Sequence, residues 1–280
     1  MNLPKISVIT PSFNQGQFLE ETLLSVINQN YSNLEYIVID GGSTDNSVEI
    51  IKKYEQHLAF WISEKDSGQS EAINKGFKRA TGDIICWLNS DDILVPDALN
   101  KVVNCFKENK DLDLLVGYTV IIDKISCIIT GLFILKQKKW YAKHGIYYVN
   151  QPAMFWKRRM FETVGFLRED FQASMDTEFL IRIFEKNFNI GHLGKILAGF
   201  RVHSESKSAA GWNNLDYIRD LDELIKLYGM GYGGRPKLFF LLIYGFEKLI
   251  KGVYFKKWIF TIKWRGKSVN KLNFNSCKYL

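Results

Sequence analysis

The stretch CWLNSDD, residues 86–92, closes an apolar run with an asparagine, a serine and two adjacent aspartates. Two carboxylates side by side repel unless something positive sits between or beside them. Hard divalent cations meet that need, since Mg2+ or Mn2+ commonly takes one or two carboxylates together with substrate phosphates. The ordinary alternative is a solvated acidic turn. DGGSTD, residues 40–45, offers another acid, Asp40, which could accept hydrogen bonds from a base or ribose while the glycines allow close approach. It could equally be a glycine-rich turn that caps a helix. In EKDSGQSEAINKG, residues 64–76, Asp66, Gly68 and Gln69 fall at the amino end of a helical pattern, where backbone N–H groups favour an anion. A solvated turn before an ordinary helix is the competing reading. Neither a GxGxxG fingerprint nor a GxxxxGK(S/T) phosphate loop is present, which removes the two commonest nucleotide-binding patterns.

The elements that must position these residues follow from periodicity. KISVIT (5–10), LEYIVID (34–40), AFWIS (59–63) and DIICWLN (83–89) are predicted strands. Between them lie helical patterns over 16–29, with Phe18, Leu19, Thr22, Val26 and Ile27 on one face, and over 70–80. A further helix follows Asp45, which is placed to cap it, and Pro96 suits the first turn of the next. This alternation predicts an α/β chain with a mostly parallel sheet flanked by helices. Such sheets bind ligands where loops leave the carboxyl ends of the strands. Thr10, Pro11 and Asn14 follow the first strand, residues 40–45 the second, 64–69 the third and 89–92 the fourth. Four polar strand ends side by side point to one site.

From residue 113 the pattern loosens. Residues 113–122 and 126–135 read as antiparallel strands, and 138–156 are aromatic and irregular. Residues 158–165 and 174–187 read as helices, 194–203 as a late strand and 213–229 as an amphipathic helix. GMGYGGRPK, residues 229–237, breaks the chain.

With 280 residues, 46% of them hydrophobic, the chain can bury a sizeable core. Its net charge of +7 is unevenly placed: residues 235–280 hold eleven Lys/Arg against Glu247 alone, leaving residues 1–234 slightly acidic. That tail mixes Lys and Arg with Phe, Tyr and Trp, and its longest apolar run, 238–246, is about half of what spans a bilayer. It suits an element lying on an anionic membrane surface; a packed helix with a solvated basic face is the alternative. Nucleic acid fits the charge and nothing else in the chain. Cys86, Cys105, Cys127 and Cys277 show no CxxC spacing, and the N-terminus lacks the features of a signal peptide, so a cytoplasmic location is expected.

Taken in order, SVITPSFNQGQFLEETLLSVINQ, EYIVIDGGSTDNS, SEKDSGQSEAINKGFKRATGDIICWLNSDD, NQPAMFW and ASMDTEFLIRIF resemble the family 2 glycosyltransferases over most of residues 5–205. The closest flavour is that of bacterial O-antigen and capsule enzymes. The resemblance implies a GT-A fold over 1–228, with a nucleotide-sugar half to about 110 and an acceptor half beyond it, and a separate tail over 229–280. It implies that Thr10, Pro11 and Asp40 line the nucleotide pocket, with Asp40 facing the base and Asp66 beside them. By the same resemblance Asp92 is the principal ligand of Mn2+ or Mg2+, His203 completes the metal shell, and Asp91 faces the ribose or donor sugar. Asp176 takes the place of the catalytic base. Two departures stand out: Asn89 where the family more often has aspartate, and Met175 where it usually has an acid next to the base. The implied reaction is inverting transfer from a nucleotide-sugar, by family habit a UDP-sugar, to a glycan or polyprenyl-diphosphate-linked acceptor at the inner face of the plasma membrane. A sugar nucleotidyltransferase, or a non-catalytic nucleotide-sugar-binding subunit, are the competing expectations.

Overall fold

The computed structural model describes residues 3–136, 138–142, 144–146, 151–206, 215–229 and 238–271. Most of the 229–237 break and Cys277 lie outside them. The first half is the predicted alternation: β1 (Ile6–Ser12), α1 (Gly16–Ile27), β2 (Leu34–Asp40), α2 (Ser47–Lys53), β3 (Phe60–Ser63), α3 (Gln69–Arg79) and β4 (Ile84–Trp87). Strands β3, β2, β1 and β4 lie side by side in that order, all parallel. Every residue of β1 and β4 is buried, as expected of strands covered on both faces. The register aligns Ser12 with Asp40 and Asp40 with Ser63, so three strands end level and their loops leave from one edge.

Asp45 serves two helices at once. Its carboxylate accepts the N–H of Ser47 in α2 at 3.0 Å and that of Gly16, the first residue of α1, at 2.8 Å. Pro96 lies two residues ahead of α4 (Ala98–Glu108), because Asp97 turns the chain with a φ of 64° before the helix begins.

The second half is mixed rather than parallel. β6 (Leu114–Ile122) pairs antiparallel with β7 (Ile128–Leu132), as the sequence suggests, and parallel with the twelve-residue β9 (Ile190–Arg201). β8 (Met154–Lys157), hidden in the aromatic stretch, inserts antiparallel between β4 and β6. There Trp156 stacks on Trp87 of β4, with ring centroids 4.8 Å apart and planes within 4°. The short β5 (Ile93–Leu94) completes the order β3-β2-β1-β4-β8-β6-β9-β5. Helix α5 (Lys139–Ala142) precedes β8, and α6 (Arg159–Val164), α7 (Met175–Glu185) and α8 (Leu215–Tyr228) follow it. Two further helices, Leu238–Ile250 and Val253–Trp264, close the described chain. Among the described residues no helix is long and apolar enough to cross a membrane.

Candidate active site

A cleft of about 970 Å³ opens where the loops leave β1–β4. Six of the candidate site residues line it, Pro11, Asp66, Gly68, Gln69, Asp91 and Asp176, as do the two departures Asn89 and Met175. Five others do not line it, each for an identifiable reason. Thr10 is fully buried, its hydroxyl 3.0 Å from that of Tyr36. Asn14, at a φ of 50° that asparagine tolerates, ties the 40–45 turn by accepting the Thr44 N–H at 2.8 Å. Asp40 organises the same turn. Its carboxylate accepts from Gly42 N–H, Ser43 N–H and the hydroxyls of Ser43 and Ser63 at 2.5–3.1 Å. Asp92 and His203 are considered below.

The amino end of α3 shapes one wall. Asp66 accepts the Gly68 N–H at 2.9 Å, and Gly68 adopts a φ of 139° that a side chain would not tolerate. Gly41 leaves room for Asp66: a Cβ there would stand 2.6 Å from its Oδ2. Burial pushes the Asp66 carboxyl above its usual range.

The two adjacent aspartates face different ways. Asp92 is fully buried and off the cleft. One of its oxygens accepts the backbone N–H of Arg201 at 2.9 Å, and the other faces the Asn89 amide at 3.4 Å. Burial, and then the charge of Asp91, push its carboxyl well up. Asp91 is the carboxylate on the cleft wall, and its Oδ2 lies 3.2 Å from His203 Nε2. Two neighbouring ligands of an octahedral Mg2+ stand about 3 Å apart, so this pair fits two positions of a metal shell. Among the described residues no set of three or more His, Cys, Asp or Glu side chains converges for a metal, so the fit is to a site completed by ligand oxygens. In this structure Asp92, expected as the principal ligand, is the buried neighbour of Asp91.

Asn89 has a physical rationale here. Its amide donates toward Asp92 and toward Gln151 Oε1 at 3.3 Å, while its oxygen accepts from Gln69 at 2.8 Å. A carboxylate in its place would set a second negative charge against Asp92.

Two positioning residues were missed from sequence. Arg201 is fully buried, donating to Asp91 O (2.7 Å), Asp123 O (3.1 Å), Ser126 Oγ (2.9 Å) and Glu21 (2.6 Å). It holds the 91–92 turn by its side chain and by its N–H. The arginine directly after the apolar run 196–200 was the available signal, since a charge buried there must be paired. Asp220 of α8 is the other. It is buried and accepts the N–H groups of Gln172, Ala173 and Ser174, at 3.0, 2.7 and 2.9 Å, on a single oxygen. Its i,i+4 relation to the buried Leu224 placed a carboxylate on the apolar face of the helix.

The loop that Asp220 holds leads into α7. Asp176, at the second position of that helix, accepts the Thr177 N–H at 2.6 Å, and burial raises its carboxyl above the ordinary value. Met175 sits next to it, buried, with its sulfur 2.8 Å from the Ser70 hydroxyl of α3.

The sequence matches the pattern of Glycosyl transferase family 2 over residues 7–168. The chain belongs to that family. An uncharacterized glycosyltransferase of Haemophilus influenzae is 39% identical over 112 residues, which is 39% of this chain and 45% of that one. The uncharacterized glycosyltransferase Rv1514c of Mycobacterium tuberculosis is 33% identical over 183 residues, 64% of this chain and 68% of that protein. TuaG of Bacillus subtilis, provisionally assigned to teichuronic acid biosynthesis, is 34% identical over 122 residues, 42% of this chain and 48% of its own length. The chain thus spans only about half the length of the first and last of these. Among solved structures, S. aureus TarS 1–349 in complex with UDP superposes with a TM-score of 0.58 at 19% identity, covering 78% of this chain and 63% of that one. The mannosyltransferase PcManGT of Pyrobaculum calidifontis, solved with GDP-Man and Mn2+, gives 0.54 at 17% identity, covering 80% and 63%. The fold of this family 2 glycosyltransferase is therefore GT-A-like, a mixed α/β sheet with flanking helices.

Proposed function

We propose that this family 2 glycosyltransferase moves a sugar from a nucleotide-diphosphate donor, a UDP-sugar, to a hydroxyl of a glycan acceptor with inversion. The observation that carries the reading is the meeting in one cleft of Asp91, with His203 behind it, and Asp176, which lie far apart in sequence. Asp176 takes the proton from the acceptor hydroxyl as general base, and its raised pKa brings it closer to that task than an exposed aspartate. Backbone N–H groups at the amino end of α3 face the negatively charged leaving group. Asp91 and His203 would hold Mn2+ or Mg2+, which when bound offsets the charge developing on the nucleoside diphosphate. Arg201 and Asp92 fix the turn that presents Asp91. A single displacement on an α-linked donor gives a β-glycoside. Complexes of TarS with UDP and of PcManGT with GDP-Man and Mn2+ support the donor class and the ion, and the likeness to TuaG, provisionally a teichuronic acid biosynthesis enzyme, supports a role in polysaccharide assembly. The loop after β1, with Phe13 and Gln15 on the cleft, carries none of the basic side chains a nucleotidyltransferase would place on its phosphates.

The test is a panel of UDP-, GDP- and dTDP-sugars incubated with Mn2+ and with EDTA, reading donor hydrolysis and binding. One donor class should be bound and slowly hydrolysed, with EDTA abolishing turnover and added Mn2+ restoring it. Turnover unaffected by EDTA would overturn the Asp91–His203 assignment, and failure to bind any donor would overturn the function.

A further inference from the structure

Helix Leu238–Ile250 is built inside out. Its inner side is tied to the domain. Glu247 pairs with Lys138 at 2.9 Å and accepts from Tyr141, Tyr244 packs edge-on against Tyr141, and Phe240 stacks on His144 at 3.6 Å. Its outer side is wholly apolar: every exposed residue of this helix is Leu, Phe or Ile, with Leu242, Phe246, Leu249 and Ile250 each more than 60% exposed. At 100° per residue these fall on one half of the cylinder. Soluble helices show the reverse arrangement, so this face is made to be covered.

The next helix, Val253–Trp264, follows after Gly252, whose φ of 65° turns the chain. It packs on β7 through Thr261, 2.9 Å from Thr130, and through Phe260 against Phe133. Outward it shows Tyr254, Phe255, Trp258 and Ile262, bordered by the exposed Lys257 and Lys263. Glu247 is the single acid in residues 238–271, and it is already paired with Lys138 and Lys251.

We infer that these two helices form one face that seats in the interface of an anionic lipid bilayer. The apolar residues enter the acyl boundary, and the lysines contact acidic headgroups. A helix of thirteen residues is about 20 Å long, too short for a hydrocarbon core of about 30 Å, so the pair lies on the membrane and does not cross it. A second copy is a poorer cover, because it would bring one basic rim against another. The inference stands apart from the catalytic reading, and the experiment keeps the two separable.

The full chain is floated with phosphatidylcholine vesicles, with and without phosphatidylglycerol, while donor hydrolysis is followed in vesicle-free buffer. Binding should require phosphatidylglycerol and weaken with salt. The double change Leu242→Glu, Phe246→Glu should reduce partitioning by about tenfold or more, and Lys257→Glu with Lys263→Glu should remove the lipid preference, all with hydrolysis retained. Leu249→Glu alone serves as a milder version should the first pair fail to fold by circular dichroism. Absence of binding to the anionic vesicles, or variants that bind as the parent does, would overturn the inference. So would a solution dimer that Leu249→Glu converts to monomers, because a second copy would then be the cover. Loss of hydrolysis with vesicle binding intact would count against the catalytic reading alone.

Discussion

One carboxylate oxygen of Asp220 accepts the backbone N–H of Ser174 at 2.9 Å, and with it those of the two preceding residues. Three successive donors ahead of a helix have no intrahelical partner, and here one buried acid satisfies them all. Asp176 follows two residues after Ser174, so Asp220 sets where this proposed base stands. Asp220→Ala should lower kcat by about tenfold to a hundredfold through misplacement of the base. KM for the donor should change little, since the donor is proposed to sit against the β1–β4 loops. Asp220→Asn, which keeps an acceptor oxygen, should recover much of the rate. A folded Asp220→Ala variant with full kcat would remove the positioning role.

Asp176→Asn should reduce turnover by about 10²–10⁴-fold while leaving donor binding close to intact, measured by single-turnover kinetics and calorimetry. In the parent, the rate should fall on acidification with an apparent pKa above the ordinary aspartate value of about 3.9, because burial raises this carboxyl. The stability sign is opposite to that of a salt-bridged acid. A raised folded-state pKa means that stability falls as pH rises from the unfolded value through the folded one. At neutral pH the asparagine variant should therefore melt at the same temperature as the parent or higher. Unchanged turnover would refute the assignment of the base.

Glu35 anchors the opposite end of the sheet from the cleft. Burial alone would raise its carboxyl, but Lys5, Ser7 and Thr81 donate to it at 2.5–2.8 Å and hold it at about 2. With a depressed folded pKa, its contribution is complete above the unfolded value near 4.5 and is lost as pH falls toward 2. Glu35→Gln should cost about 1–3 kcal/mol in urea unfolding at neutral pH, and much less near pH 2. Donor KM should be unchanged.

The parallel half of the sheet was legible because its strands are β-branched runs punctuated by polar turns. β8 was not, since its three buried residues, Met154, Phe155 and Trp156, show no alternation and look like any aromatic stretch. For the site, the sequence marked the acids Asp66, Asp91 and Asp176 that line the cleft but not the directions of the adjacent pair. Whether Asp91 or Asp92 faces the cleft depends on a single turn, closed by Asp92 N–H to Asn89 O at 3.0 Å, which side-chain periodicity does not encode. Arg201 and Asp220 act through backbone groups distant in sequence, so only their anomalous place on apolar faces marked them. Asp40 and Thr10 hold their polar groups in hydrogen bonds within the protein, which a strand-end position in the sequence does not reveal.

The turn makes opposite predictions for its two acids. With Asp91 as the ligand, Asp91→Asn should weaken Mn2+ affinity in the presence of nucleotide by more than about a hundredfold, and His203→Ala should follow closely. Asp92→Asn keeps an oxygen for the Arg201 N–H and should cost only about tenfold, the lower end for a residue that orients a ligand. Asn89→Asp tests the same arrangement from the other side. It replaces the amide that faces Asp92 at 3.4 Å with a carboxylate, and so should destabilise the protein at neutral pH, with the loss shrinking on acidification as the pair takes up a proton. Calorimetric titration of Mn2+ into the nucleotide complex of each folded variant decides the order. If Asp92→Asn abolishes binding as fully as Asp91→Asn, the buried acid must swing into the cleft to take the metal, and the geometry described here is that of a resting site.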